Sequence, residues 1–180
     1  VVVANAGFKA IAVHPINPDI VYAGAGNEVY KSIDGGFSWE VVLLANAPLF
    51  GYIETPAEIH IHTTNPDIVL LAGRDGIYRT EDAGENWTQV LTNHCYDIKA
   101  RPGFPNILYT VRNNLNTNTH QFLRSEDGGM TWEEQINGWY ASNDPARSVN
   151  GARIAVSNAD TMRIYAFLIG DAKEGDEGFI

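Results

Sequence analysis

The amino-acid sequence predicts an all-β chain built from a repeated four-stranded unit, and three observations carry this prediction. An eight-residue turn motif occurs three times, a second motif keeps step with it, and no window has useful helical periodicity. The runs between the turns are rich in Val, Ile and Tyr, as strands require, whereas Gly, Asn, Asp and Pro fall between the runs. Four short strands in a repeat of about 45 residues are typical of a β-propeller blade.

The turn motif, called the box here, reads SIDGGFSW from Ser32, TEDAGENW from Thr80 and SEDGGMTW from Ser125. The copies begin 48 (80 minus 32) and then 45 (125 minus 80) residues apart. The glycines of the box suit a tight turn, which needs Gly where φ is positive. The Ser or Thr hydroxyl and the Asp carboxylate can form hydrogen bonds with the backbone of the turn, and the Trp side chain can pack as an apolar anchor. Since the motif recurs in register, we interpret it as structural rather than catalytic. The predicted structural residues are Ser32, Asp34, Gly36, Trp39, Thr80, Asp82, Gly84, Trp87, Ser125, Asp127, Gly129 and Trp132.

The second motif is a strand, an Asn-Pro-Asp turn and another strand. Residues 11–24 (IAVHPINPDIVYAG) match residues 59–73 (IHIHTTNPDIVLLAG), and weaker copies begin at Ile98 and Ile154. The two motifs together predict blade units at about 8–45, 57–92 and 96–136 and an incomplete unit at 152–180.

The first residues, 1–7 (VVVANAG), resemble residues 41–47, which follow the first box. We therefore predict that they form the outer strand of a preceding blade. The expected assembly is an incomplete ring of about four blades, for which the remaining blades of a larger propeller are partners. A small four-bladed ring that closes on itself is the alternative.

The boxes resemble the Asp-box, or BNR, repeat, with the pattern Ser/Thr-x-Asp-x-Gly-x-Thr/Ser-Trp. The first and third copies match fully, whereas the second has Ala83 in place of a glycine and Asn86 in place of Ser or Thr. The resemblance implies a propeller of the kind found in sialidases, sortilin-type receptors, xyloglucan-hydrolysing two-propeller glycosidases and secreted bacterial proteins. It also implies a secreted or cell-surface location. Because both enzymes and non-enzymes share the repeat, it implies no particular activity.

Charge and composition argue against several classes of function. Twelve basic and 22 acidic residues give a net charge of -10, which repels nucleic acid, and no apolar run approaches the roughly 20 residues of a membrane span. We predict no nucleic-acid partner and no membrane insertion. We also predict no cofactor and no metal, although His60 and His62 lie on one face of a strand at a spacing that can bind zinc or copper. The single cysteine, Cys95, is expected to be a small buried side chain.

Ligand-binding side chains are expected on the face opposite the box turns, where the connecting loops vary most. Aromatic rings beside carboxylate and guanidinium groups suit a sugar ring or a peptide. The structural alternative is an ordered loop that packs Trp139 on its own blade. The candidate binding residues are Trp139, Tyr140, Asn143, Asp144, Arg147, Tyr52, Arg74 and His94.

The leading hypothesis is a non-catalytic recognition or scaffold module that binds a glycan or a protein. The alternative is a fragment of a glycoside hydrolase, with acid and base drawn from Glu54, Asp75 and Asp144. Two departures weigh against the enzyme. Sialidases carry a Phe/Tyr-Arg-Ile-Pro segment that has no counterpart here, and the xyloglucan-hydrolysing enzymes have a catalytic Asp where residues 23–26 read AGAG.

Overall fold

A computed structural model describes residues 8–44, 58–114, 119–137 and 149–170. These residues form fourteen strands and contain no helix, which confirms the all-β prediction. Accordingly, no long apolar helix capable of crossing a membrane occurs in these ranges.

The strands form four antiparallel sheets in chain order, which we call blades 1 to 4. Blade 1 comprises β1 (Ala10–Val13), β2 (Val21–Ala25), β3 (Glu28–Ser32) and β4 (Glu40–Leu44). Blade 2 comprises β5 (Glu58–Ile61), β6 (Val69–Gly73), β7 (Gly76–Thr80) and β8 (Thr88–Thr92). Blade 3 comprises β9 (Cys95–Arg101), β10 (Phe104–Asn114), β11 (Thr119–Ser125) and β12 (Glu133–Glu134), and the described part of blade 4 comprises β13 (Val149–Val156) and β14 (Ile164–Gly170).

The core lies between consecutive blades. The first strand of each blade contacts the first strand of the next, from β1 to β5 to β9 to β13. Side chains alternate across a strand, so each sheet presents one set to the blade before it and another to the blade after it. Three clusters of buried residues fill the interfaces: Ala10, Tyr22, Val29, Ile59, Ile61, Val69 and Leu71; Leu70, Ala72, Ile77, Cys95, Ile98 and Leu108; and Tyr96, Tyr109, Val111, Ala152 and Ile154.

The connections of each blade emerge at two opposite ends. In blade 2, the Asn-Pro-Asp turn at 65–67 and the box at 80–87 lie at one end, where Val69 pairs with Thr80. The turn between Gly73 and Gly76 lies at the other end, next to the connection from Thr92 into blade 3. We call these ends the box face and the loop face. The repeat therefore separates the box turns from the described loops that contain Arg74 and His94.

Candidate functional site

The three box turns have the same hydrogen-bond geometry. In the first, the Ser32 hydroxyl accepts from the Gly36 N–H at 2.8 Å, and the Asp34 carboxylate accepts from the Ser38 N–H at 2.8 Å and its hydroxyl at 2.6 Å. The Trp39 Nε1 donates to the Gly36 carbonyl at 2.9 Å. The second and third copies reproduce this pattern. In the second, Asn86 replaces the hydroxyl with its amide Nδ2, which donates to Asp82 at 2.8 Å.

Each box is also tied to the Asn-Pro-Asp turn, or its equivalent, in the same blade. The N–H groups of Gly35, Ala83 and Gly128 each donate to the carbonyl of that turn's third residue at 2.9 Å. Ala83 adopts a φ of 57°, close to the 71° of Gly35 and the 70° of Gly128. The departure of the second box from the sequence pattern therefore leaves its turn geometry intact. An alanine in this left-handed region costs roughly 1–2 kcal/mol.

The box aspartates are held as ionised hydrogen-bond acceptors. Hydrogen bonds from the Ser38 hydroxyl and N–H lower the pKa of Asp34 to about 2, and the Thr80 hydroxyl and the Asn86 amide lower that of Asp82 to about 2. Partial burial opposes ionisation of Asp127, yet its bonds from Thr131 and Ser125 also bring its pKa to about 2. A carboxylate with so low a pKa, and with its oxygens committed to the turn, is poorly suited to donate a proton in catalysis.

Side chains of one blade also bind the box turn of the next. The Tyr22 hydroxyl and the Lys31 Nζ both donate to the Ala83 carbonyl at 2.8 Å. In the following interface, the Arg79 Nε donates to the Gly128 carbonyl at 2.9 Å. Burial, followed by the charge of Asp67, raises the pKa of Tyr22 to about 12, so this hydroxyl keeps its proton. The box turns thus join blades as well as strands.

The predicted binding and catalytic residues fall into two groups. Arg74, Asp75 and His94 lie in the described part of the chain, all at the loop face. The others lie outside the described residues: Tyr52, Glu54, Trp139, Tyr140, Asn143, Asp144 and Arg147.

Asp75 takes part in a pairing that recurs between blades. Its carboxylate accepts a hydrogen bond from the Tyr78 hydroxyl, and its backbone carbonyl accepts one from the Gln89 Nε2 at 2.8 Å. In blade 1 the equivalent tyrosine, Tyr30, donates in the same way to Glu28. Burial, together with the bond to Asp75, raises the pKa of Tyr78. In both blades this tyrosine therefore pairs with a carboxylate close to it in sequence, which stands two residues before it in blade 1 and three before it in blade 2.

His94 begins a cluster of rings at the loop face of blade 3. Its ring lies 4.1 Å from that of Tyr96, centroid to centroid, and the Tyr96 ring stacks at 5.9 Å on His120. The Tyr96 hydroxyl lies 3.4 Å from the His120 Nε2, and burial lowers the pKa of His120. Sequence reasoning found His94 but missed Tyr96 and His120. The two residues are 24 positions apart and are joined only because β9 and β11 flank β10.

Both ring nitrogens of His62 have hydrogen-bond partners within the protein. The His62 Nδ1 accepts from the Asn65 N–H at 3.0 Å, as the His14 Nδ1 does from Asn17, so it supports the Asn-Pro-Asp turn. With Nδ1 accepting, the protonated Nε2 of His62 donates to the Asn106 Oδ1 at 2.9 Å. No group of three or more potential metal-binding His, Cys, Asp or Glu side chains occurs within the described ranges.

His60 is an uncharged side chain inside the interface between blades 2 and 3. Its Nε2 is buried and has no hydrogen-bond partner, and burial, followed by the charges of His62 and Lys99, lowers its pKa to about 4. Nearby, the Lys99 Nζ bridges Glu58 at 3.0 Å and Asp97 at 3.1 Å. Cys95 is fully buried, as expected, and burial raises its pKa to about 12. A reactive thiolate is therefore absent at this position.

No protein-family model matches the chain, and no curated protein does. Solved structures, however, share its fold. An ancestral GH74 enzyme aligns with a TM-score of 0.62 and 17% sequence identity over 89% of this chain. The GH74 xyloglucanase from Xanthomonas campestris aligns with a TM-score of 0.56 and 20% sequence identity over 74% of this chain. YCF48 bound to D1 peptide aligns with a TM-score of 0.55 and 16% identity over 99% of this chain.

The fold is a β-propeller. The chain spans 24% of each GH74 chain and 55% of the YCF48 chain, so it matches part of a ring in each. At these identities the likeness concerns the fold, and enzymes and a peptide-bound protein share it.

Proposed function

We propose that this chain is a non-catalytic recognition module of a secreted or cell-surface propeller, built on Asp-box repeats, and that it binds a protein segment through its loop face. The observation that carries the proposal is the hydrogen bond from Tyr78 to Asp75. Asp75 is the one candidate carboxylate acid or base within the described ranges. In blade 1 the equivalent tyrosine, Tyr30, also pairs with a nearby carboxylate, that of Glu28, although Asn27 stands at the position of Asp75. The carboxylate is thereby accounted for without catalysis.

The chemistry of the described loop face supports a peptide ligand. Arg74 is exposed, and His94 is half-buried against the ring of Tyr96. Cations and aromatic rings on one face suit peptide carboxylates and aromatic side chains, and Tyr and Arg are enriched at binding hot spots. The structural neighbour described as bound to D1 peptide is an instance of this fold presenting a peptide site.

A binding assay with matched variants tests the proposal. The probes are an immobilised peptide library and a glycan array, with the 180-residue chain labelled at a surface lysine. For a protein ligand, we expect peptide hits whose affinity falls about tenfold in the double variant Arg74→Ala, His94→Ala. Glu85→Ala, which removes an exposed charge from the box face, should leave the affinity unchanged. Glycan hits with the same dependence would keep the recognition role but change the ligand class.

The alternative is a glycoside hydrolase fragment, which the two GH74 neighbours favour and for which Glu54 and Asp144 remain candidate acid and base. Chromogenic glycosides incubated with the chain test it directly. Turnover that is abolished by Asp144→Asn or Glu54→Gln, while thermal unfolding stays unchanged, would overturn the recognition proposal.

A further inference from the structure

The connection between blades 2 and 3 has a fixed backbone conformation around His94. Asn93 has a φ of 71°, in the left-handed region that residues other than Gly, Asn and Asp rarely adopt. The Asn93 carbonyl accepts a hydrogen bond from the Cys95 thiol at 3.4 Å, and the His94 carbonyl accepts one from the Asn113 N–H at 2.8 Å. The backbone that carries the His94 side chain is therefore held by contacts within the protein.

The hairpin of β10 and β11 supplies one of these contacts because it is longer than its counterparts. The two strands have 11 and 7 residues, whereas the strands of the equivalent hairpins in blades 1 and 2 have 5 each. The last described pairs of the three hairpins are Ala25 with Glu28, Gly73 with Gly76, and Asn114 with Thr119. The added length lies at the loop face, and it brings Asn113 and its cross-strand partner His120 next to the connection that contains His94.

The side chain of His94 lies against a stack of rings that this hairpin completes. The Tyr96 ring contacts that of His94, and it stacks on the His120 ring with 23° between the two planes. The Tyr96 hydroxyl also lies 3.4 Å from the His120 Nε2. Tyr96 and His120 are 5% and 6% exposed, whereas His94 is half-buried at the loop face. Two buried rings thus support a third ring that reaches the surface.

We propose that Tyr96 and His120 are positioning residues that fix the ring of His94 at the loop face, where it contacts the ligand. This inference rests on the proposed recognition function and deepens it, because it names the residues that prepare the site for a peptide segment. A side chain that is already fixed loses little rotamer freedom on binding. Each side chain fixed in advance strengthens the affinity by about two- to tenfold.

NMR of the chain with isotope-labelled histidine measures the position of the His94 ring without any ligand. The ring current of Tyr96 should displace the ring-proton signals of His94, and Tyr96→Leu should return them towards their unperturbed positions. Tyr96→Phe should leave them nearly unchanged, because it keeps the ring. Tyr109→Leu is the matched control, since Tyr109 is 3% exposed in the same buried cluster between blades 3 and 4. It should destabilise the chain to a similar extent and leave the His94 signals in place.

A second variant keeps the test valid if Tyr96→Leu unfolds the chain. His120→Leu removes the ring that supports Tyr96 but leaves the contact between Tyr96 and His94. It should move the His94 signals in the same direction as Tyr96→Leu, by a smaller amount. The signals of His14, which lies in the turn of blade 1, report whether each variant stays folded.

Binding measurements separate positioning from a merely structural role. The probes are the peptides that the parent chain selects from the immobilised library. Tyr96→Leu and His120→Leu should each weaken their affinity about two- to tenfold, whereas Tyr96→Phe should retain most of it. In a chain that already carries His94→Ala, Tyr96→Leu should cause no further loss, because the ring that Tyr96 positions is gone. Tyr109→Leu should leave the affinity unchanged with or without His94.

Two results would overturn the proposal. One is a set of His94 signals that responds neither to Tyr96→Leu nor to His120→Leu in folded chains. The other is a loss of affinity on Tyr96→Leu that is equally large with and without the His94 ring. A library that yields no peptide would refute the proposed function instead, and the NMR response would still decide whether Tyr96 and His120 fix His94.

Discussion

The first box turn and the two that follow it have the same internal hydrogen bonds but different surroundings. Gly84 and Gly129 face Tyr22 and Leu70 of the preceding blade, and Trp87 and Trp132 pack against the buried clusters between blades. The first box has no described preceding blade: Trp39 packs against Phe8 at 5.7 Å between ring centroids, and Phe37 is 87% exposed. The comparison separates what the turn motif does by itself from what a neighbouring blade adds to it.

The largest difference between the boxes is expected for the tryptophans. Trp132→Ala should lower the free energy of unfolding by about 3 to 5 kcal/mol, because it opens a cavity beside the cluster around Leu70 and Leu108. Trp39→Ala should cost clearly less, since Trp39 lies outside the three buried clusters. Both variants lose the same Nε1 hydrogen bond to a box carbonyl, which makes each a control for the other. Chemical denaturation measures the two values, and equal losses would mean that the preceding blade contributes nothing.

The glycines of the boxes should show a smaller difference in the same direction. Gly36 and Gly129 have φ values of 93° and 85°, so alanine is strained by about 1 to 2 kcal/mol at either position. At Gly129 a Cβ would also lie 2.2 Å from the Leu70 Cδ2, whereas at Gly36 its nearest neighbour is the Trp39 Cζ2 at 3.4 Å. We expect Gly129→Ala to destabilise by about 2 to 4 kcal/mol and Gly36→Ala by no more than the backbone strain. Thermal unfolding of the two variants would refute this if Gly36→Ala proved the less stable.

The described interface between blades 2 and 3 should also be sensitive to acid. The pKa of His60 is about 4 in the folded chain and 6.5 without perturbation, so its uncharged form contributes stability above pH 6.5 that is lost as the pH falls towards 4. The full loss is roughly 3 kcal/mol, since each pKa unit corresponds to about 1.4 kcal/mol.

Replacing His60 with leucine sharpens this test, because it removes the titrating group and keeps an apolar side chain in the interface. Between pH 6.5 and 4 the unfolding free energy of the variant should fall less than that of the parent chain, because the box aspartates and His120 titrate in both chains and His60 only in the parent. Above pH 7 the two profiles should run parallel. A parent profile that is level through this window would contradict the assigned burial of His60.

Sequence periodicity predicted the strands and turns because a box contains most of its own hydrogen-bond partners. Ser32, Asp34 and Ser38 lie within seven residues and bond one another or the backbone between them. The role of Asp75 escaped prediction because an acidic residue in a loop resembles a candidate catalytic acid in the sequence. The structure shows instead that Asp75 accepts a hydrogen bond from Tyr78, much as Glu28 does from Tyr30 in blade 1. The cluster of His94, Tyr96 and His120 escaped because the strand order of blade 3, rather than spacing along the chain, brings its rings together.

The sequence by itself determined the all-β fold, the order of the turns and the residues that close each box, because these depend on contacts within a few residues. Only the tertiary structure decided how blades hold one another. Lys31 and Arg79 reach backbone carbonyls 52 and 49 residues away, and a carbonyl acceptor leaves no side-chain pattern from which its partner could be read.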